Sequence, residues 1–381
     1  MSNRKNQIAF CILFMLIITM PMIFMNIKDG TVSEAEKRVL EKKPLFFDGE
    51  GKINKEYTSD LEKWINDNVG FRNLMVILNA RIQYHCFHVL SNNSDMYLGP
   101  KGEFNYATKA ILEDYQHFNL YPDKYNEWNA KSLQTISDHV EGSGAQFYYF
   151  QCWDKHSVYP EYFPRTVIQY GKYSKTDHLI ETIKNKSSVN VISVKDTLID
   201  SKNDHQVYSK WGDPTHWTQR GAYIAYKELM NVLNSNNDNR FRVLEEDAYD
   251  IILTDQGSNI FGGIHKIDML ENFVLIDQQA DLSNDKLTLY SDDQRHKYYV
   301  NENVDNDTRI LIIGDSYFDG YIIDDIAESF NETIMLWNEY TRYISDIVEV
   351  YQPDIVILEA AERVDISNEI IAGAEIIDNK N

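Results

Sequence analysis

The sequence predicts an α/β fold built on a parallel sheet. From about residue 122, short apolar runs alternate with stretches of helical period. The alternation breaks between 236 and 307 and resumes at Arg309. With 381 residues, 43% of them apolar, the chain can bury a sizeable core.

The elements follow in order. MSNRKNQIAFCILFMLIITMPMIFMNIKDG places Arg4 and Lys5 before an apolar run from about Ile8 to Met25, long enough to cross a bilayer. A cleaved signal peptide needs a shorter apolar core and an Ala-x-Ala-like site, absent from 18–30, so residues 1–29 read as an uncleaved membrane anchor. The basic flank keeps the N-terminus cytoplasmic and puts the rest outside the cell membrane. Residues 30–110 read as a mostly helical juxtamembrane region. SEAEKRVLEKK is one helical stretch, and Leu61, Ile65, Phe71, Met75 and Leu78 recur near helical spacing in another.

Residues 111–381 form the expected α/β domain. A helix through PDKYNEWNAKSLQTISDHVEGSG precedes a strand at 145–153, and a helix at TDHLIETIKN precedes a strand at 189–194. After Gly212-Asp213-Pro214-Thr215-His216-Trp217, Thr218 is a good N-cap for a helix with Ala222, Ala225, Leu229 and Leu233 on one face. The Asn/Asp-rich stretch 236–307, with alternating KLTLYS and KYYVNENV, reads as a β-rich insertion. RILII is then a strand that exits at Gly314-Asp315-Ser316, FDGYIIDDIAESF a helix, TIMLW a strand, RYISDIVEVY a helix and DIVIL a strand.

Composition narrows the function. The 59 acidic against 37 basic residues give a net charge of −22, which repels phosphate backbones and argues against nucleic acid as a partner. It also favours a neutral or weakly charged substrate. Cys86 and Cys152 lie in a compartment that permits a disulfide, but they read equally as buried free thiols. No Cys/His spacing suggests a metal site, and no cofactor is expected.

Two short motifs carry chemistry. Gly314-Asp315-Ser316, where a strand gives way to a helix, is how a nucleophilic serine is presented at the carboxyl edge of a parallel sheet; alone it is equally an ordinary turn. Asp213-x-x-His216 supplies a base and the carboxylate that fixes its tautomer; alone it is a loop histidine beside a turn carboxylate. Together, each read at a strand exit before a helix, they point to a catalytic triad of Ser316, His216 and Asp213.

The chain resembles the SGNH hydrolase superfamily, within it the membrane-anchored branch of alginate O-acetyltransferase-like and DHHW-type proteins. The resemblance rests on GDS at 314–316, VYSKWGDPTHWTQRGAY, DKHSVYPEYFP, SEAEKRVLEKKP, NDNVGFRN and PDIVILEAAER. It implies a three-layer α/β/α fold with permuted motif order, Asp/His before Ser. It also implies serine-dependent O-acetylation of a cell-surface or secreted polysaccharide, with a membrane-bound O-acyltransferase partner as acyl donor. The branch often has Asp two residues before His, whereas here it is three, and the superfamily's oxyanion glycine and asparagine are not evident. Asn338 and Arg363, at strand exits, are candidate oxyanion or substrate-binding residues, with Arg342 and Lys155 behind them and Trp217 as a sugar platform. An acetyl esterase with the same triad, and a non-catalytic polysaccharide-binding subunit on the same scaffold, are the alternatives.

Overall fold

The computed structural model describes residues 2–33, 38–47, 49, 51–90, 95–261 and 264–380. The chain divides into two compact units: residues 1–93 with 258–266, and residues 94–257 with 267–381.

The first unit opens with α1 (Ser2–Ile23), whose stretch Arg4–Ile23 is the one helix among the described residues long and apolar enough to cross a membrane. Its apolar side chains are exposed, as a lipid-facing helix requires. Pro21 lies inside it, and the Pro21 carbonyl accepts the Gly70 N–H at 2.8 Å. A Cβ on Gly70 would lie 2.7 Å from that oxygen, so glycine is what allows the approach. After β1 (Val32–Ser33) and β2 (Arg38–Val39) come α2 (Tyr57–Asn68) and α3 (Arg72–Ile82). Arg38 grips Asp67 on α2 through two bonds of 2.6 and 2.7 Å.

The expected helix at SEAEKRVLEKK is not there: Arg38–Val39 is a strand and 40–45 irregular, while 34–37 lie outside the described residues. The second helical stretch forms α2 and α3, and its Phe71, Met75 and Leu78 are exposed.

The larger unit begins with the hairpin strands β3 (Met96–Leu98) and β4 (Phe104–Tyr106) and α4 (Lys109–Tyr115). There follow α5 (Asp123–Gly142), β5 (Gln146–Cys152), α6 (Lys155–Val158), α7 (Lys175–Lys186), β6 (Asn190–Ser193), α8 (Lys195–Ser201) and α9 (Gln219–Ser235). The stretch read as an insertion holds β7 (Tyr249–Phe261) paired with β8 (Ile264–Leu275), then β9 (Asp281–Leu282) and β10 (Lys297–Val300). The chain closes with β11 (Arg309–Gly314), α10 (Ile323–Ala327), β12 (Glu332–Trp337), α11 (Ile344–Tyr351), β13 (Ile355–Ala361) and α12 (Ser367–Lys380).

Seven strands form the central sheet in the order β6-β5-β13-β11-β12-β10-β9, the first five parallel and β10 antiparallel to both neighbours. Every residue of β13 and all but the first of β11 are buried, so both sheet faces are covered. Helices α5, α7 and α12 pack together as one layer. Gln146 and Tyr148, which share a face of β5, accept from Asn237 and Asn236 just past the end of α9. Within the β-rich stretch, β7 and β8 pair with each other, while β9 and β10 extend the central sheet. KLTLYS forms no strand, as hydrogen bonds from Thr288 and Leu289 N–H go to the Tyr351 hydroxyl instead of a strand partner.

Candidate active site

The parallel strands end along one edge, and loops leaving β5, β11, β12 and β13 meet there. At the end of β11 the chain turns through Asp315. Its N–H donates to Glu359 Oε2 on β13 at 2.6 Å, its Oδ1 accepts the Tyr317 N–H at 2.9 Å, and its Oδ2 accepts the Ala361 N–H at 3.2 Å. The turn is thus tied to β13, and Ser316 is left half-buried at its crest. Burial raises the Asp315 carboxyl above its usual range, and it pushes Glu359 up well above its own.

The histidine loop is held by different means. Tyr208 bridges Trp217 across its base, and Thr218 caps α9 by accepting the Gly221 N–H at 3.1 Å. Asp213 Oδ1 accepts the Thr215 N–H at 2.7 Å, the Thr215 hydroxyl at 2.8 Å and the His216 N–H at 3.0 Å. That local turn fixes the carboxylate, whose Oδ2 lies 2.9 Å from His216 Nδ1. An ionised carboxylate only accepts, so Nδ1 carries the proton and Nε2 is left with a lone pair. Nε2 stands 2.9 Å from Ser316 Oγ. Burial works against the Asp213 charge, but the bonds from His216 and Thr215 outweigh it and hold the carboxyl well below the usual range.

The sequence placed both motifs directly between a strand and a helix, and the structure corrects this. Between β6 and the histidine loop stands α8, and beyond Ser316 no regular helix begins until Ile323. Asp315 captures the N–H groups of the next turn, so the chain winds through turns before α10.

Arg363, just past β13, reaches the same centre. Its Nη2 lies 2.9 Å from His216 Nε2, its Nη1 pairs with Asp154 from the β5 exit, and its guanidinium lies 4.9 Å over the Tyr317 ring. The Tyr317 hydroxyl lies 2.6 Å from Asp154 Oδ1 and 2.9 Å from the Thr215 carbonyl. Tyr321 stacks on His216, with ring centres 5.6 Å apart.

The other candidates divide. Asn338, just past the end of β12, is buried and donates from Nδ2 to Asp315 Oδ2 at 3.4 Å. Lys155 is buried with its ammonium on the Phe104 carbonyl and 5.6 Å from the Tyr162 ring; burial brings it down to about 7. Arg342 does not belong to the site, because its guanidinium is held by Glu369 on α12. Trp217 is no sugar platform: it is 1% exposed and packs edge-on against Tyr317 at 4.8 Å. Cys86 and Cys152 are free thiols, Cys152 buried on β5.

Sequence reasoning missed Asp154, Tyr317, Tyr321 and Glu359, and also Asp268 on β8. Asp268 Oδ2 accepts the Trp211 N–H at 2.8 Å and the Ser209 hydroxyl, bracing the chain just before Gly212. One signal was available: Tyr317 and Tyr321 follow the serine within the same motif. Asp114, His156 and Glu362 are the group among the described residues that can hold a metal ion, their ligand atoms within 4.8 Å of one another. A cavity of about 90 Å³ is lined by this cluster and by Arg363, but Ser316, His216 and Asp213 do not line it.

A mostly parallel α/β sheet with serine, histidine and aspartate in hydrogen-bonded series along its carboxyl edge defines an SGNH-like fold. Among solved structures, Bacillus cereus PatB1 matches with a TM-score of 0.52 at 15% identity, over 73% of this chain and 99% of that one. The same protein with a sulfonyl adduct gives 0.53 at 15%, over 74% and 99%. A DHHW family protein from Eubacterium siraeum gives 0.51 at 16%, over 76% and 97%. At these identities the likeness is one of fold. No protein-family model matches the sequence, and no curated protein does.

Proposed function

We propose that this chain is an extracytoplasmic, membrane-tethered O-acyltransferase that carries an acyl group, acetyl in the first instance, on Ser316 and passes it to a hydroxyl of a cell-surface or secreted polysaccharide. The observation that carries the reading is the series Ser316 Oγ, His216 Nε2 and Nδ1, Asp213 Oδ2, each step 2.9 Å. His216 takes the Ser316 proton as Oγ attacks the acyl carbonyl, and gives it to the leaving group. Asp213 keeps the ring oriented and offsets the positive charge it gains. In the second half the acceptor hydroxyl yields its proton to Nε2 and attacks the acyl-serine; the bond from the acyl carbon to Oγ then breaks and Nε2–H returns the proton to Ser316.

Three further points support the reading. The apolar length of α1 suits an anchor. The sequence motifs resemble the alginate O-acetyltransferase-like branch. The sulfonyl adduct captured on PatB1 is the type of product that activated nucleophiles form. The net charge of −22 favours a neutral or weakly charged acceptor, and a membrane-bound O-acyltransferase is the proposed donor.

The test is the O-acetyl content of the surface polymer in cells carrying Ser316→Ala. A transferase predicts loss of acetyl with the protein still folded and membrane-associated. A rise in acetyl identifies an esterase instead, and unchanged acetyl rejects the catalytic role of Ser316.

A further inference from the structure

On the reading that Ser316 is acylated, the site needs hydrogen-bond donors for the oxyanion formed when the acyl carbonyl is attacked. The nucleophile's turn offers one. The Ser316 N–H has no acceptor among the described residues, whereas the N–H groups of Asp315 and Tyr317 are both engaged. A helix N-terminus is not at hand, since α10 starts at Ile323. Asn338 faces Asp315.

Arg363 is differently placed. Its Nη2 donates to His216 Nε2 at 2.9 Å, and the Ser316 hydroxyl stands 2.9 Å from that same nitrogen. A neutral imidazole offers one lone pair there, so two donors share a single acceptor. The guanidinium is otherwise anchored, by Asp154 at Nη1 and by the Tyr317 face, and its side chain is 15% exposed. It can turn one N–H without losing its seat.

We infer that Arg363 is the second oxyanion donor, and that proton transfer to His216 is what hands its N–H over to the oxyanion. As Ser316 Oγ bonds to the carbonyl carbon, its proton passes to Nε2 and the carbonyl π pair moves onto oxygen. Nε2 now bears a hydrogen and can accept nothing. The imidazolium and the guanidinium repel one another at that distance, while an anion has appeared beside them. Nη2–H therefore turns to the new oxyanion, next to the Ser316 N–H. On collapse the oxyanion pair re-forms the carbonyl, the bond to the donor's leaving group breaks, and Nε2–H protonates that group. The lone pair returns to Nε2 and Arg363 returns to it. The base and the oxyanion donor are thus exchanged by one proton.

The test uses the full-length chain in detergent with 4-nitrophenyl acetate, reading the rate of Ser316 acylation from the burst and KM separately. Arg363→Ala should slow acylation by roughly 10²–10³-fold with KM little changed, and added guanidinium ion should restore part of the rate. Arg363→Lys keeps a cation against Asp154 and so controls for folding; it should remain well below wild type. Full activity in Arg363→Lys would reduce the guanidinium to a counterion for Asp154 and overturn the assignment, as would unchanged acylation in Arg363→Ala. If wild-type protein forms no acyl-Ser316 by mass spectrometry, the acyltransferase reading itself fails, and this inference with it.

Discussion

Gly314 and Glu359 meet where two neighbouring parallel strands end: a Cβ on Gly314 would lie 2.7 Å from Glu359 Oε2, the oxygen that accepts the Asp315 N–H. Any side chain at 314 pushes on the group that holds the nucleophile's turn. Gly314→Ala is expected to cost about 1–3 kcal/mol in urea unfolding through overpacking, and to slow acylation in the folded fraction. A variant with wild-type stability would show that the turn tolerates the added methyl.

Glu359 itself is buried, and burial raises its carboxyl well above the usual range. Glu359→Gln keeps an oxygen for the Asp315 N–H and should fold near wild-type stability. Glu359→Ala leaves that N–H without its acceptor and opens a cavity, a loss of about 2–4 kcal/mol. Equal midpoints for the two variants would mean that the Asp315 bond does not support the turn.

Asp213→Asn should leave the fold intact and lower acylation by roughly 10³–10⁴-fold, because a neutral amide neither fixes the Nδ1–H tautomer nor offsets the imidazolium. The stopped-flow burst on an aryl acetate measures this. A decrease of less than about tenfold would put the orienting role on another group.

Asp268, remote in sequence, braces the segment before the histidine loop through Ser209 and Trp211. Asp268→Ala removes the carboxylate that the Trp211 N–H and the buried Ser209 hydroxyl donate to, and is expected to cost about 1–3 kcal/mol. Amide exchange at 209–217 should accelerate with it. Protection unchanged across that stretch would remove Asp268 from the support of the site.

His156 sits between Asp114 and Glu362 at 3.4 and 3.5 Å. Burial opposes its charge, but the two carboxylates outweigh it and raise the imidazole from 6.5 to about 9; burial raises Glu362 from 4.5 to about 8 despite His156. Both folded-state values lie above the unfolded ones, so the native cluster binds protons that the unfolded chain has released. The stability this contributes is full below the unfolded values and declines as pH rises through about 8 to 9. Urea midpoints at pH 6.5, 7.5 and 9 should fall in wild type and fall less in His156→Gln. Parallel slopes would place the pH dependence elsewhere.

Some of the site is legible in the chain because it is local. The carboxylate and the imidazole of Asp213-x-x-His216 need only one turn to meet, and an apolar run ending in Gly314-Asp315-Ser316 marks a strand and its exit. Helical and strand periods likewise mark β5, β6, β11, β12, β13, α5 and α9, because each carries apolar residues at the period of its element. The helix expected over FDGYIIDDIAESF is shorter, Ile323–Ala327, since the period of that stretch does not reveal that Asp315 holds the next residues in turns.

The sequence by itself determined which segments bury apolar faces and which loop presents an imidazole with its carboxylate already in place. Only the tertiary structure decided what surrounds them. β13, near the end of the chain, lies between β5 and β11, and that order brings Glu359 beneath Asp315 and Arg363 between Asp154 and His216. Strand order arises from packing among all the elements at once, and no local spacing of residues encodes it.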